Sequence, residues 1–225
     1  MIQLNYSAFF SLLMQIITGF IEGKGLTINI NPENFILQDI LLIELIVQVV
    51  EFIFYLYLVY LIVSNKVSSS ITSHRYIDWS ITTPMMLISF ILFFKYLKNP
   101  KRNIRLFESI KEEKSNIIKI LIANGLMLLF GFLAERSIIN PYVGVTLGFL
   151  PFAYMFKILY SNYAKFNYIS LILHYIFFFI WGFYGVAAVL PFATKNTVYN
   201  ILDLFSKNAY GLFLYYYIKQ LELTK

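Results

Sequence analysis

An all-α membrane protein of seven transmembrane helices, N-terminus outside and C-terminus in the cytoplasm, is the fold class this sequence predicts, on three observations. Of its 225 residues, 59% are hydrophobic, 19% aromatic and only 13% charged, too apolar a mixture for a domain with a water-facing surface. Seven apolar runs of membrane-crossing length follow one another without an internal repeat or a second domain, so residues 1–225 read as one unit. The basic residues gather in alternate loops.

Each run spans about the ~17 to 25 residues a crossing helix needs, the second being longer. The first, Leu4 to Ile21, lacks the basic start and small-residue cleavage site of a signal peptide and carries Ser7, Ser11 and Gln15 at four-residue spacing. The second, Phe35 to Val63, places Glu44, Gln48, Glu51 and Tyr55 at i, i+4, i+7 and i+11, one polar face of an otherwise aliphatic helix. The third, Arg75 to Leu97, holds Arg75, Asp78, Thr82 and Thr83-Pro84. Ile117 to Ala134, Tyr142 to Tyr160 and Tyr168 to Leu190 follow, and Val198 to Ile218 encloses Asp203, Lys207 and Asn208. Gly23-Lys24-Gly25, Asn31-Pro32, Ser68-Ser69-Ser70, Asn99-Pro100 and Asn140-Pro141 mark loops between runs.

Orientation follows from the positive-inside bias. The turns after the first, third and fifth runs, with the C-terminal end, hold Lys24, Lys95, Lys98, Lys101, Arg102, Arg105, Lys111, Lys114, Lys119, Lys157, Lys165, Lys219 and Lys225, against Lys66, Arg136 and Lys195 opposite. The net charge of +6 therefore reflects loops such as Lys98 to Lys114 facing lipid headgroups, and no nucleic-acid partner is expected. The absence of cysteine removes disulfides, thiolate metal sites and thiol nucleophiles. His74 reads as a solvated interfacial residue, His174 has no second ligand near it, and Glu135-Arg136 reads as a surface pair, so no metal site is expected. No phosphate-binding glycine loop or hydrolytic nucleophile motif points to an enzyme.

An ionisable side chain inside a span marks function, and a buried carboxylate needs a cation. Arg75, three positions before Asp78 on the same face, and Lys207 are the two candidates. Asp203 and Lys207 are i and i+4, with Lys207 about 6 Å deeper, while Ser89 lies roughly 16 Å beyond Asp78 at 1.5 Å per residue. Two carboxylates from different helices thus converge on one lysine. That lysine serves either as a salt-bridged structural cation or as an amine, activated by an apolar pocket, that forms an imine with an aldehyde.

Arg75-Tyr76, Asp78-Trp79 and Thr82-Thr83-Pro84, with Asp203 one turn before Lys207, resemble the microbial rhodopsins, and the resemblance extends over essentially the whole chain. It implies retinal bound covalently at Lys207 as a Schiff base, Asp78 as counter-ion and proton acceptor, and Asp203 as second counter-ion. Asn124-Gly125-Leu126-Met127 with Gly131 is similar to the family's fourth-helix wall, and Trp181 and Tyr184 to its sixth-helix aromatics. Trp79, Thr83, Met127, Gly131, Trp181 and Tyr184 are accordingly expected to line the retinal slot. The departures are specific. The third-helix triplet reads Asp78, Thr82, Ser89, where proton pumps usually end it with a carboxylic acid that reprotonates the Schiff base. Asn124 stands where pumps often have aspartate, Thr194-Lys195 where they place a release-group glutamate, and Gly185 where proline is common.

The leading expectation is a light-driven ion transporter that moves protons outward, with Arg75, Asp78, Thr82, Ser89 and Asp203 carrying the transfer. Glu44, Glu51 and Asn208 in so short a chain resemble the rhodopsins of large algal viruses, some of which are similar to cation channels. The alternative is therefore a light-gated cation channel lined by Ser11, Glu44, Glu51 and Asn208, and the same stripe also admits plain interhelical hydrogen bonding. A sensory photoreceptor signalling to a separate partner stands third. The expected partners are the lipid bilayer and protons or small cations, homo-oligomerisation is left open, and a host-cell membrane is the location if the chain is viral.

Overall fold

The computed structural model describes residues 2–100 and 104–223, so Lys101, Arg102 and Lys225 of the basic bias lie outside the described residues. The helices are α1 (Ile2–Gly25), α2 (Phe35–Val63), α3 (Ser70–Lys98), α4 (Leu106–Glu112), α5 (Lys114–Glu135), α6 (Pro141–Asn162), α7 (Tyr168–Ala187), α8 (Phe192–Asp203) and α9 (Ala209–Lys219). A π turn, Leu204–Asn208, joins α8 to α9, so the two form one column, and the short α4 stands apart from seven rods. Among the described residues, six helical segments are long and apolar enough to cross a membrane. The seventh rod is the α8–α9 column, whose apolarity is diluted by Lys195, Asp203 and Lys207 and whose length is divided by the π turn.

Three boundaries differ from the sequence expectation. The first span continues to Gly25, so Gly23-Lys24-Gly25 is helix and not loop, and Glu22 is drawn into the bundle. The Gln38 side chain helps hold this end by donating to the Gly25 carbonyl, an acceptor the helix end leaves unpaired, and to the Leu26 and Ile28 carbonyls just beyond it. The sixth span stops at Ala187, short of Leu190, because Pro191 disfavours helical backbone at the residue before it. The seventh begins at Phe192, ahead of Val198. Elsewhere the Asn punctuation acts as helix caps. Asn140 accepts from the Tyr142 N–H with Pro141 opening α6, and Asn167 accepts from the Ile169 and Ser170 N–H groups at the start of α7.

α3 is the central rod. In its apolar stretch 61% of residues are buried, against 39% for the α2 segment and 28% for α1, α5, α6 and α7, so α3 is the most enclosed of these six segments. Its half beyond Pro84 packs Met86, Leu87, Phe90, Phe93 and Phe94 against α2, α6, α7 and α9 in the main apolar core. Large apolar side chains such as Phe20, Ile53 and Phe179 point outward, as a lipid-facing surface requires. At the predicted cytoplasmic end, Arg105 makes a bidentate pair with Asp39 at 2.7 and 2.8 Å, tying the start of α4 to α2. Lys95 pairs with Glu112 and Glu113, tying α3 to the α4–α5 junction.

Candidate functional site

Lys207 sits inside the π turn, where the Ala209 N–H reaches back five residues to the Leu204 carbonyl. Its Nζ is 3.1 Å from Asp78 Oδ2, 3.2 Å from Glu51 Oε1 and 3.3 Å from Asp203 Oδ1, and the side chain is 3% exposed. The sequence argument brings two carboxylates to this lysine. The structure brings three, the third being Glu51 of α2, which was expected to line an ion route.

Arg75 corrects another expectation. Instead of turning to Asp78 on its own helix, it reaches α8, with Nη1 3.2 Å from Asp203 Oδ2, Nε donating to Asn196 Oδ1 at 3.0 Å and Nη2 donating to Asn200 Oδ1. Lys207 already occupies Asp78, whereas the α8 face offers Arg75 three acceptors in the spread its planar fork needs. Its guanidinium also lies 4.9 Å from the centre of the Phe54 ring. Asp203 accepts from Tyr55 at 2.8 Å and Tyr184 at 2.7 Å as well, so both its oxygens are saturated. Asp78 Oδ1 and Glu51 Oε2 are buried without a partner. Asn196 and Asn200 escaped the sequence reading, yet Asn196, Asn200, Asp203 and Lys207 fall at i, i+4, i+7 and i+11, the same signal that marked the face of the second span.

On the far side of Lys207 the polar column continues. Gln15 and Asn208 exchange two amide hydrogen bonds at 3.1 Å, Asn208 also donates to Thr18 at 2.7 Å, and Gln48 donates to the Thr18 hydroxyl and the Gln15 carbonyl. Beyond this amide layer Ser89 bonds Tyr210 at 3.2 Å, Glu44 lies near Ser89, and Glu22 lies against Gly211. Ser11 donates to the Asn200 carbonyl, and the Thr82 hydroxyl back-bonds to Asp78 O, which leaves it structural in this state. Glu135, at the end of α5, pairs with Lys195 in the first turn of α8 at 2.7 Å and not with its neighbour Arg136. His74, expected in solvent, packs edge-on to Tyr57 with ring centres 5.7 Å apart.

A cavity of about 100 Å³ runs from Lys207 between α3, α5, α6 and α7. Trp79, Thr83, Met127, Gly131, Trp181 and Tyr184, the six residues expected in a retinal slot, all line it together with Lys207. Trp79 meets Tyr184 edge-on at 5.5 Å, and Thr83 exchanges hydrogen bonds with Asn124 across α3 and α5. Gly131 is required by close approach, since a Cβ there would lie 2.7 Å from Tyr76 Oη. An apolar chamber lined by flat side chains and one lysine fits a covalently held polyene.

Comparison with known proteins follows the same line. The green-light absorbing proteorhodopsin of Gamma-proteobacterium EBAC31A08 is 25% identical over 171 residues, covering 67% of this chain and 62% of that protein, so the match spans less than two thirds of the relative. The crystal structure of viral rhodopsin OLPVRII superposes with a TM-score of 0.86 at 28% identity, over 98% of this chain and 99% of that one. Xanthorhodopsin, a light-driven ion pump with dual chromophore, shares the fold at a TM-score of 0.74 and 17% identity, over 96% of this chain and 92% of that one. With seven rods, a lysine-centred carboxylate cluster and a match to the bacteriorhodopsin-like protein model from residue 8 to residue 221, the chain belongs to that family of multi-pass membrane proteins, the microbial rhodopsins.

Proposed function

We propose that this protein is a light-driven transporter that moves protons outward, with retinal held on Lys207. Members of its family carry retinal covalently on a lysine and are light-driven transporters or photoreceptors, not enzymes. Lys207 is the lysine that opens into the apolar cavity. When bound, retinal supplies the light absorption and the isomerisation that reorients the bond from Nζ. The chain's own residues supply the proton chemistry.

Three carboxylates face two cations in the cluster, and an unmatched buried charge costs several kcal/mol, so one carboxyl carries a proton. Glu51 suits that role, with Oε1 accepting from Nζ and Oε2 holding the proton. Asp78 and Asp203 are then the anions matched to Lys207 and Arg75. Asp203 has no unoccupied oxygen, whereas Asp78 accepts from Nζ through Oδ2 and keeps Oδ1 open. This is the observation that carries the reading: Asp78 is the anion able to take the Nζ proton. Arg75, Asn196 and Asn200 stand between Asp78 and the outer end, and Glu44 stands on the opposite side as a source for reprotonation.

Current recorded under light at zero voltage and equal ion concentrations tests this. An outward proton current that keeps its sign across zero voltage supports the pump. The buried polar column of Glu44, Gln48, Glu51 and Asn208 favours a second reading, a light-gated cation channel, in which the current reverses at the equilibrium potential of the permeant cation.

A further inference from the structure

Glu22 is fully buried near the end of α1, and Glu44 of α2 is 2% exposed. Among the described residues, none of their four carboxyl oxygens has a hydrogen-bond partner of good geometry. Among the described residues no cation bonds either acid, since Lys24 turns to the surface and Lys207 is taken by its own three carboxylates. The Glu22 carboxyl fills the space beside Gly211, where an added Cβ would collide with it. Methionine would occupy this room without the cost of desolvating an acid, so packing gives no reason for a carboxyl here. Each acid is buried with no cation at bonding distance, and the nearest donor to Glu44 is the neutral Ser89 hydroxyl, so each is stable in that setting only with its proton on.

The two acids also form a sequence in depth. Gln48 separates Glu44 from Glu51 along α2, and Gly211 is one turn past Lys207 on α9. Glu22 lies three residues, or about 5 Å, from the end of its helix at Gly25. Ser89, bonded to Tyr210 and close to Glu44, has no acidic proton to give.

We propose that Glu22 is the cytoplasmic port of a two-acid relay, passing its proton to Glu44 as Glu44 gives its own to Lys207 Nζ. The inference rests on the reading of Lys207 as the retinal lysine. In each cycle the Glu44 O–H bond breaks as an Nζ–H bond forms, the Glu44 carboxylate takes the Glu22 proton, and a hydronium ion at the membrane face gives its proton to Glu22 and leaves water. The only co-reactant is the aqueous proton that is transported.

The test begins in the dark, by infrared spectroscopy of membrane-reconstituted protein with and without retinal. Glu22→Gln and Glu44→Gln, both nearly isosteric, are each expected to remove one component of the protonated-carboxyl C=O stretch. Gly211→Ala is expected to shift the Glu22 component alone. After a flash, either Gln variant is expected to slow recovery of the dark state by roughly a hundredfold, the lower end of what a positioned general acid contributes. Ser89→Asp added to Glu22→Gln is expected to restore the rate by supplying a second acid. An unchanged C=O band in Glu22→Gln, or a lost band with unchanged recovery, overturns the relay. A photocurrent that reverses with the cation gradient overturns the pump and leaves these readouts intact, because Lys207 Nζ must regain its proton in either mode.

Discussion

Asp78→Asn and Glu51→Gln remove carboxylates at almost the same distance from Lys207 Nζ, 3.1 and 3.2 Å. At an effective dielectric near 20, a unit charge at either position attracts the ammonium by roughly 5 kcal/mol, and the two terms differ by only a few per cent. If both groups were ionised, the two variants would therefore move the visible band of the retinal-loaded protein equally. The charge balance says otherwise, because a proton on Glu51 Oε2 leaves Asp78 and Asp203 matched to Lys207 and Arg75. Asp78→Asn then strips a full charge and is expected to move absorption to longer wavelength, with the visible form lost at lower pH than in the parent. Glu51→Gln replaces one neutral group by another and is expected to leave band and titration close to the parent. Absorption spectra recorded across a pH series make the comparison. Equal shifts in the two variants would refute the assignment of the proton to Glu51.

Lys207→Ala is expected to abolish the visible band after retinal addition and to lower stability by roughly 3 to 5 kcal/mol, since it strands buried carboxylates, and thermal melting beside absorption separates the two effects. Gly131→Ala would push a Cβ to 2.7 Å from Tyr76 Oη, and the resulting strain of roughly 1 to 3 kcal/mol is expected to lower retinal loading, read as the ratio of visible to protein absorbance. Outside the membrane, burial opposes ionisation of Glu113, but hydrogen bonds from Tyr163 and Lys95 and the Lys95 charge hold its carboxyl below the ordinary value of 4.5. A depressed folded-state value means stability that is fully present above about pH 4.5 and lost as pH falls through the folded value. Hydrogen exchange at the α4–α5 junction is therefore expected to accelerate on acidification below that pH, and Glu113→Gln is expected to remove the acid dependence.

The rods were legible in the sequence because a bilayer imposes a length and a polarity that few other constraints mimic. Asp203 and Lys207 were legible because helical spacing alone puts them on one face. Partners on different rods were not. Glu51 was visible as part of a stripe, but nothing in one dimension tells which rod that stripe meets, and its contact with Lys207 depends on the rotation of α2 against the α8–α9 column. Arg75 illustrates the same gap, since proximity along α3 favoured Asp78 and the side chain's length delivered it to α8. Glu22 was hidden differently: the glycines around Lys24 looked like a turn, and the Gln38 side chain that helps hold the helix end there lies on another segment.

The reciprocal amide pair of Gln15 and Asn208, backed by Thr18 and Gln48, has an electrical consequence. Carboxamides carry no net charge and release no proton of their own, so this layer is the uncharged barrier that a proton passing from Glu44 to the lysine cluster must cross. Glu44 and Glu51 are seven residues apart, about 10 Å along the helix, or roughly a third of a ~30 Å hydrocarbon core. A membrane voltage of 100 mV, worth ~2.3 kcal/mol for a charge crossing the whole membrane, then contributes about 0.8 kcal/mol to a proton stepping across the layer. That is a factor of roughly three to four in the balance between the two sides, so under the proposed relay the membrane voltage biases how readily Lys207 is recharged.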